Sequence, residues 1–430
     1  MKLLKKILNG NVLLKIISFN SVEILVKILS GFIIQKALAI FVGPQGLGVV
    51  GSFRDFITSV QSISSFGVSN GIVKYVAEFK NDKEKLSEIL STAIGLTLMV
   101  ASVCSVIIFF TASYWNHLIF QEVYDFSKII EAVALAIPFY ALNILLLAII
   151  NGYSKYKLYI FANLATSLVL LPTTLFLLWK YKLNGAIYSL ILAPIISLLV
   201  TLVLILKMRL RARLIKVSKI NLATFKKFST YVLMALLSSI MLPIVRIAIR
   251  DYIGEIDGKE YVGYWEAVNR LSNFYLMFIT SLMTLYVLPK LSEISTDREF
   301  RNEISKFFKT VLPLFSVGLI SIYVFRIQIV KIFLTEKFLL MEPLFFWQLS
   351  GDFLKIAATV IAYQFLAKNM FWHYVLVEIF SVASIYLISI VFITRYGYVG
   401  ASIGYLFNSF IYFITVLLIF RRKLFGNLTD

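Results

Sequence analysis

The sequence predicts an all-α polytopic membrane protein, with about twelve transmembrane helices in two six-helix bundles. Three observations predict it. Of 430 residues, 60% are hydrophobic and 15% aromatic, with a mean hydropathy of +0.86, which leaves too little polar surface for a soluble globule. Apolar windows of roughly 20 residues, long enough to cross a bilayer as a helix, recur along the whole chain. Finally, the 42 lysines and arginines collect in alternate loops, as membrane orientation requires.

Taken in order, the expected spans lie near 14–42, 46–69, 89–113, 127–151, 157–180 and 185–206, and then near 229–253, 262–288, 307–327, 343–367, 372–394 and 398–420. This divides the chain into a first bundle, 1–206, a basic linker, 207–228, and a second bundle, 229–430. The opening MKLLKKIL resembles a signal peptide start, but no small-residue cleavage site follows and the apolar run continues to Val42. It is read as retained, a short interfacial helix.

With the amino terminus inside, 26 basic residues fall in cytoplasmic segments, 8 in outer loops and 8 within spans. Both termini are therefore expected in the cytoplasm. The densest cluster is the linker, with Lys207, Arg209, Arg211, Arg213, Lys216, Lys219, Lys226 and Lys227, a topology determinant drawn to anionic headgroups. Because the basic residues flank spans and form no single soluble patch, the net charge of +19 does not indicate a nucleic-acid partner.

Six crossings return the chain to the side where it started, so a duplicated six-span unit would keep its orientation. An offset of 215 residues pairs Gly48 with Gly263, Glu78 with Glu293, Tyr181 with Tyr396, Gly185 with Gly400 and Ala186 with Ala401. The last three pairs enter the final span of each half. The pattern favours two bundles related by a pseudo-twofold along the membrane normal, with a path between them.

Charges at membrane depth cost at least ~2.5 kcal/mol each and normally face protein or water. Leaving out the charges at most span ends, eight bases are counted at depth, Lys15, Lys27, Lys36, Arg54, Arg246, Arg250, Arg270 and Lys355, against five acids, Glu23, Asp55, Glu266, Asp352 and Glu378. The excess points to an anionic passenger. Residues three or four apart share a helical face, which gives four polar stripes: Arg54, Thr58, Gln61 and Ser65; Ser239, Pro243, Arg246 and Arg250; Glu266, Arg270, Asn273, Met277, Thr280 and Thr284; and Gln348, Asp352, Lys355 and Thr359. They converge most simply on a hydrated cavity.

Each stripe has a plainer reading. Lys15 and Arg250 lie near span ends, where snorkelling to the headgroups accounts for them. Lys36 is roughly 10 Å from its span end, so snorkelling and cavity lining stand level. Glu23 with Lys27, and Glu266 with Arg270, are four apart and can neutralise one another. Arg54, Arg246 and Arg270 lead the list because no nearby end or single partner disposes of all three. Asp55, adjacent to Arg54, falls on a different face and is expected to touch another helix.

Conventional catalytic chemistry is largely missing. One cysteine, Cys104, and two histidines, His117 and His373, are too few for a zinc site of three or four such ligands. No Gly-x4-Gly-Lys-Ser/Thr phosphate loop occurs. The chain is therefore not expected to hydrolyse ATP or to act as an enzyme.

Several segments are similar to a known family. Gly43-Pro44-Gln45-Gly46-Leu47-Gly48, Phe53-Arg54 and Asn70-Gly71-Ile72-Val73-Lys74-Tyr75-Val76-Ala77 resemble the first spans of bacterial Wzx-type flippases, within the multidrug/oligosaccharidyl-lipid/polysaccharide exporter superfamily. Phe278-Ile279-Thr280, Leu288-Pro289, Phe346-Trp347-Gln348-Leu349, Gly351-Asp352 and Leu354-Lys355 resemble its O-antigen and enterobacterial common antigen branch. The resemblance implies two six-helix bundles around a V-shaped cavity in the bacterial inner membrane, carrying undecaprenyl-diphosphate-linked oligosaccharide to the outer leaflet by alternating access. It also implies membrane lipids, a polysaccharide polymerase and chain-length proteins as partners, and a cavity or gating role for Arg54, Lys74, Asp352 and Lys355.

A lipid-linked diphosphate needs cations, and arginine offers it a bidentate fork. Arg54, Arg246 and Arg270, with Lys27, Lys74 and Lys355, are the expected diphosphate contacts, and Thr58, Gln61, Asn273 and Thr280 the polar lining for sugar hydroxyls. Glu23, Glu266 and Asp352 are the candidates for a coupling proton or sodium ion; no other cofactor is expected. The alternative is an organic-cation antiporter of the same superfold, but it would call for an excess of intramembrane acids. A glycan polymerase or ligase would call for a substantial outer loop, and a scaffold would not need four polar stripes.

Overall fold

The structure, a computed structural model, describes residues 12–65, 69–79, 82–120, 124–153, 155–207 and 229–426. The opening MKLLKKIL and nearly all of the basic linker lie outside the described residues. No strand occurs among those described. The first half comprises α1 (Val12–Phe41), α2 (Gly43–Ser65), α3 (Ser69–Phe79), α4 (Lys83–Phe110), α5 (Ala112–Phe120), α6 (Ser127–Gly152) and α7 (Tyr156–Lys207). The second comprises α8 (Ser229–Ile256), α9 (Lys259–Leu282), continued through a π turn (Met283–Val287) into α10 (Leu288–Glu293), then α11 (Asp297–Val324) and α12 (Arg326–Phe333). A short 3-10 turn (Glu336–Met341) precedes α13 (Leu344–Ala367), α14 (Phe371–Tyr396) and α15 (Val399–Phe425).

Local chemistry sets several of these boundaries. Asp82 accepts from the backbone N–H groups of Glu84 and Lys85 and so starts α4. Thr296 and Glu299 form a reciprocal capping box that starts α11. Prolines at 138, 172, 194, 243 and 313 lie inside long helices, which membrane helices tolerate because neighbouring groups satisfy the freed carbonyls.

By length and composition, eight helices among the described residues qualify as membrane-crossing. One of these, α7, runs 52 residues with a break at Lys182 (φ 49°, ψ −120°) and so holds two of the expected spans. Expected spans also coincide with α2 and α9, which fall short of that criterion because polar residues interrupt them, and with α8, whose side chains are described only from residue 240. Among the eight, the one with the lowest mean hydropathy, α13, carries one of the expected polar stripes.

The 215-residue offset reappears in the backbone. Gly43 and Gly258, both at positive φ (72° and 104°), begin the second long helix of each half, and Lys182 and Gly397 (φ 49° and 60°) turn the chain into the last one. Three residues further on, a Cβ on Gly185 would lie 1.9 Å from the Leu177 carbonyl oxygen, and one on Gly400 2.2 Å from that of Phe392. Leu177 and Phe392 are themselves 215 apart. Each final hairpin closes so tightly that only glycine fits.

The chain divides into two compact units: Met1–Ala37 with Phe53–Pro243, and Leu38–Ser52 with Ile244–Asp430. In the first, α3 packs on α4 and α6 through Ile72, Val76, Leu86, Leu90 and Leu145. In the second, Ile249, Ile253, Trp265 and Ile393 form a core cluster. There the Asp257 carboxylate accepts from the Tyr398 N–H beside Gly397, and the Tyr398 hydroxyl donates to the Leu340 carbonyl at 2.8 Å. Three connections at one end of the unit are thereby tied together.

Candidate functional site in the second unit

The polar stripe of α9 meets α8 and the first turns of α2 in a buried cluster. Arg250 Nη2 donates to Glu266 Oε2 at 2.6 Å, and Arg270 Nε to Glu266 Oε1 at 3.1 Å. The Arg250 guanidinium also lies 5.6 Å from the Trp265 ring centroid, a cation–π arrangement. A glycine makes room for the carboxylate: a Cβ on Gly51 would sit 2.6 Å from Glu266 Cδ. One turn away, a Cβ on Gly263 would sit 1.8 Å from the Pro44 carbonyl oxygen, and one on Gly48 2.9 Å from Val262. Small residues let the two backbones approach closely, as membrane helix interfaces require.

This overturns one expectation. Arg250 does not snorkel to the headgroups; it is buried, only 2% exposed, because Glu266 on the adjacent helix holds it inside the protein. Arg270 pairs with the same carboxylate, as its i, i+4 spacing suggested, so neither is an isolated cation. Arg246, one turn before Arg250, is half-buried and makes no ion pair among the described residues; its Nη2 donates to Asn269 Oδ1 at 3.3 Å. Asn273 and Thr280 lie exposed on the same helix, and the Thr280 hydroxyl donates back to the Leu276 carbonyl at 3.1 Å.

The α13 stripe turns into the unit's interior. Asp352, fully buried, accepts at Oδ2 from the Tyr275 hydroxyl of α9 and at Oδ1 from the Tyr405 hydroxyl of α15, the latter at 2.8 Å. One turn away along α13, Gln348 faces Ser402, and on the other side Lys355 Nζ stands 4.0 Å from the Tyr412 ring centroid. The Thr359 hydroxyl donates to the Lys355 carbonyl at 2.6 Å. An apolar slot of 430 Å³ between α11, α13 and α15, lined by Leu319, Tyr323, Phe346 and Phe353 among others, suits hydrocarbon and not a diphosphate.

In the first unit, buried Glu23 accepts from Lys27 Nζ at 2.5 Å and from Asn163 Nδ2 at 2.9 Å. Arg54 is half-buried and Asp55 buried, as expected for a residue turned toward protein. Thr58 is exposed and donates to the Arg54 carbonyl at 2.8 Å, while Gln61 is half-buried. The Lys74 side chain lies outside the described residues, although its backbone belongs to α3. Sequence reasoning did not find Tyr275, Tyr405, Asn163 or Gly51. Tyrosines are frequent in this chain, and a long-range hydroxyl partner leaves no periodic trace.

A model of the polysaccharide biosynthesis protein family matches residues 37–343, and the lipid III flippase of Escherichia coli (strain K12) is 30% identical over 408 residues, covering 93% of this chain and 96% of that one. The chain belongs to that polysaccharide biosynthesis family. A putative O-antigen transporter of Shigella flexneri is 24% identical over 293 residues, 66% of this chain and 68% of that one. Among solved structures, an inward-facing multidrug resistance MATE family transporter superposes with a TM-score of 0.78 at 13% identity, covering 94% of each chain. The lipid II flippase MurJ in an inward closed conformation gives 0.68 at 15% identity, covering 94% of this chain and 87% of that one. These two likenesses establish the fold: an all-α multi-pass membrane protein of two helical bundles.

Proposed function

We propose that this chain is a transporter, not an enzyme, that flips undecaprenyl-diphosphate-linked oligosaccharide, such as an O-antigen repeat unit, from the cytoplasmic to the periplasmic leaflet by alternating access. The observation that carries this reading is the full-length likeness to a lipid III flippase. The sign of the intramembrane charge supports it, because an excess of bases attracts a diphosphate and repels an organic cation where screening is poor. In this reading the chain lies in the bacterial inner membrane with both termini cytoplasmic, and membrane lipids, a polysaccharide polymerase and chain-length proteins are its partners.

Within it, the proposed diphosphate contacts are Arg54, with Lys27 and Lys74, in the first unit, and Arg246, with Lys355 and an Arg270 partly neutralised by Glu266, in the second. Thr58 and Gln61 in the first unit, and Asn273 and Thr280 in the second, offer oxygen and nitrogen atoms to sugars. Glu23, Glu266 and Asp352 are the acids available to a coupling proton or sodium ion.

Deleting the gene tests the reading directly. Lipid-linked glycan should accumulate on the cytoplasmic leaflet and the matching surface polysaccharide should disappear, with export of cationic dyes unchanged. The intact protein should rescue the surface glycan, and Arg54→Ala should not. Unchanged surface polysaccharide together with dye hypersensitivity would transfer the assignment to an organic-cation antiporter.

A further inference from the structure

We propose that Asp352 is a proton-binding site inside the second unit, separate from the guanidinium groups assigned to the substrate, and that its carboxylate takes up and releases one proton in each transport cycle. The inference rests on the transporter reading and says which of the three candidate acids carries the coupling ion.

The three acids differ in how their charge is balanced. Glu23 is ion-paired with Lys27, and Glu266 with Arg250 and Arg270, so neutralising either acid would leave a partly or fully buried cation short of its partner. Asp352 has no ion pair with a lysine or arginine among the described residues. Its oxygens are held by neutral groups, chiefly the hydroxyls of Tyr275 and Tyr405, with the side chains of Ser272 and Gln348 alongside. A neutral cradle of this kind accepts either protonation state without orphaning a partner charge.

The cradle also rewires. The Tyr275 hydroxyl lies 2.9 Å from Ser272 Oγ, and either oxygen can be the donor. With Asp352 ionised, Ser272 donates to Tyr275 and Tyr275 to Asp352. When a proton adds to Asp352 Oδ2, the new O–H donates to the Tyr275 oxygen, and the tyrosine's own hydrogen turns to Ser272. One proton is gained from water, no other bond to hydrogen breaks, and every oxygen keeps a partner.

The surroundings extend the same seam. Along α13 and α15, Gln348 with Ser402, Asp352 with Tyr405 and Lys355 with Tyr412 form a polar ladder about 10 Å long, counting Gln348 to Lys355 at ~1.5 Å per residue. The titratable and charged groups around Asp352 are Tyr275 from α9, Tyr405 from α15, Arg246 of α8 acting on Tyr405, Lys355 on α13 itself and Glu378 of α14 acting on Lys355. The α11 neighbour of Tyr275 is the apolar Phe315. A metal cation at Asp352 would need both tyrosine hydrogens turned away and several more oxygen ligands gathered around it. A proton needs only the Tyr275 and Ser272 hydroxyls to turn.

Infrared difference spectroscopy on the full chain in lipid nanodiscs, titrated with acid at constant sodium, reads the site without transport. The C=O stretch of a protonated carboxyl should appear on acidification, vanish in Asp352→Asn and shift in Tyr275→Phe. A band unchanged by Asp352→Asn, or one controlled by sodium and not by pH, overturns the proposal. In proteoliposomes carrying a polyprenyl-diphosphate oligosaccharide, an imposed pH gradient should change the flipping rate of the wild type several-fold and leave Asp352→Asn unresponsive; an equal response in both also overturns it. If the wild type moves no such lipid at all, the flippase reading fails, and the infrared band still decides whether Asp352 binds a proton.

Discussion

Arg246 and Arg250 stand one turn apart on α8, carry the same group and sit in different environments. Arg250 is sealed between Glu266 and Trp265, so removing it leaves a buried carboxylate short of one partner. Losing one member of such a pair costs ~3–5 kcal/mol. Arg250→Ala should therefore lower the thermal unfolding midpoint in detergent sharply and reduce the amount of folded protein in the membrane. Arg246, half-buried and bonded only to Asn269 among the described residues, has little to stabilise. Arg246→Ala should unfold at nearly the wild-type temperature yet lose glycan flipping, and Arg246→Lys, which keeps the charge but not the bidentate fork, should lose much of it too. Comparable thermal losses in both alanine variants would erase the distinction.

At the scale of elements, glycine does what no apolar count reveals. Pro44, Gly48 and Gly51 on one helix meet Val262, Gly263 and Glu266 on another, and Gly48 with Gly263 and Gly51 with Glu266 are each 215 residues apart. Equivalent positions of the internal repeat thus touch each other. A methyl group at Gly263 has no room beside the Pro44 carbonyl, and overpacking of this kind costs typically 1–3 kcal/mol. Gly263→Ala should lower the melting temperature by several degrees, whereas Gly318→Ala, where nothing lies within 4 Å of the added carbon, should leave it unchanged. Equal melting of the two would mean that the close approach is not needed.

For the whole molecule, orientation is the property most open to a direct test. In the orientation proposed from the loop charges, with both termini cytoplasmic, Lys337 would lie outside and Arg298 inside; both are exposed. In a Cys104→Ser background, Lys337→Cys should react with an impermeant thiol reagent in intact cells, and Arg298→Cys only after permeabilisation. The reverse pattern would invert the topology and, with it, the direction of transport proposed above.

Composition and period by themselves determined the class, the succession of long helices and the internal repeat, because a bilayer demands apolar runs of set length and a tight hairpin demands glycine at a set place. They also determined that Glu23 with Lys27, and Glu266 with Arg270, face one another, since helical spacing alone brings such pairs together. Only the tertiary structure decided what lies across from each stripe. Arg250 was readable as a snorkelling end until a carboxylate from another helix was seen to bury it, and Asp352 was one acid among five until two tyrosines, 77 residues before it and 53 after it, closed around it. Contacts of that separation are selected by packing geometry and leave no local signature, which is why the charge census was legible in the sequence and the roles of the individual charges were not.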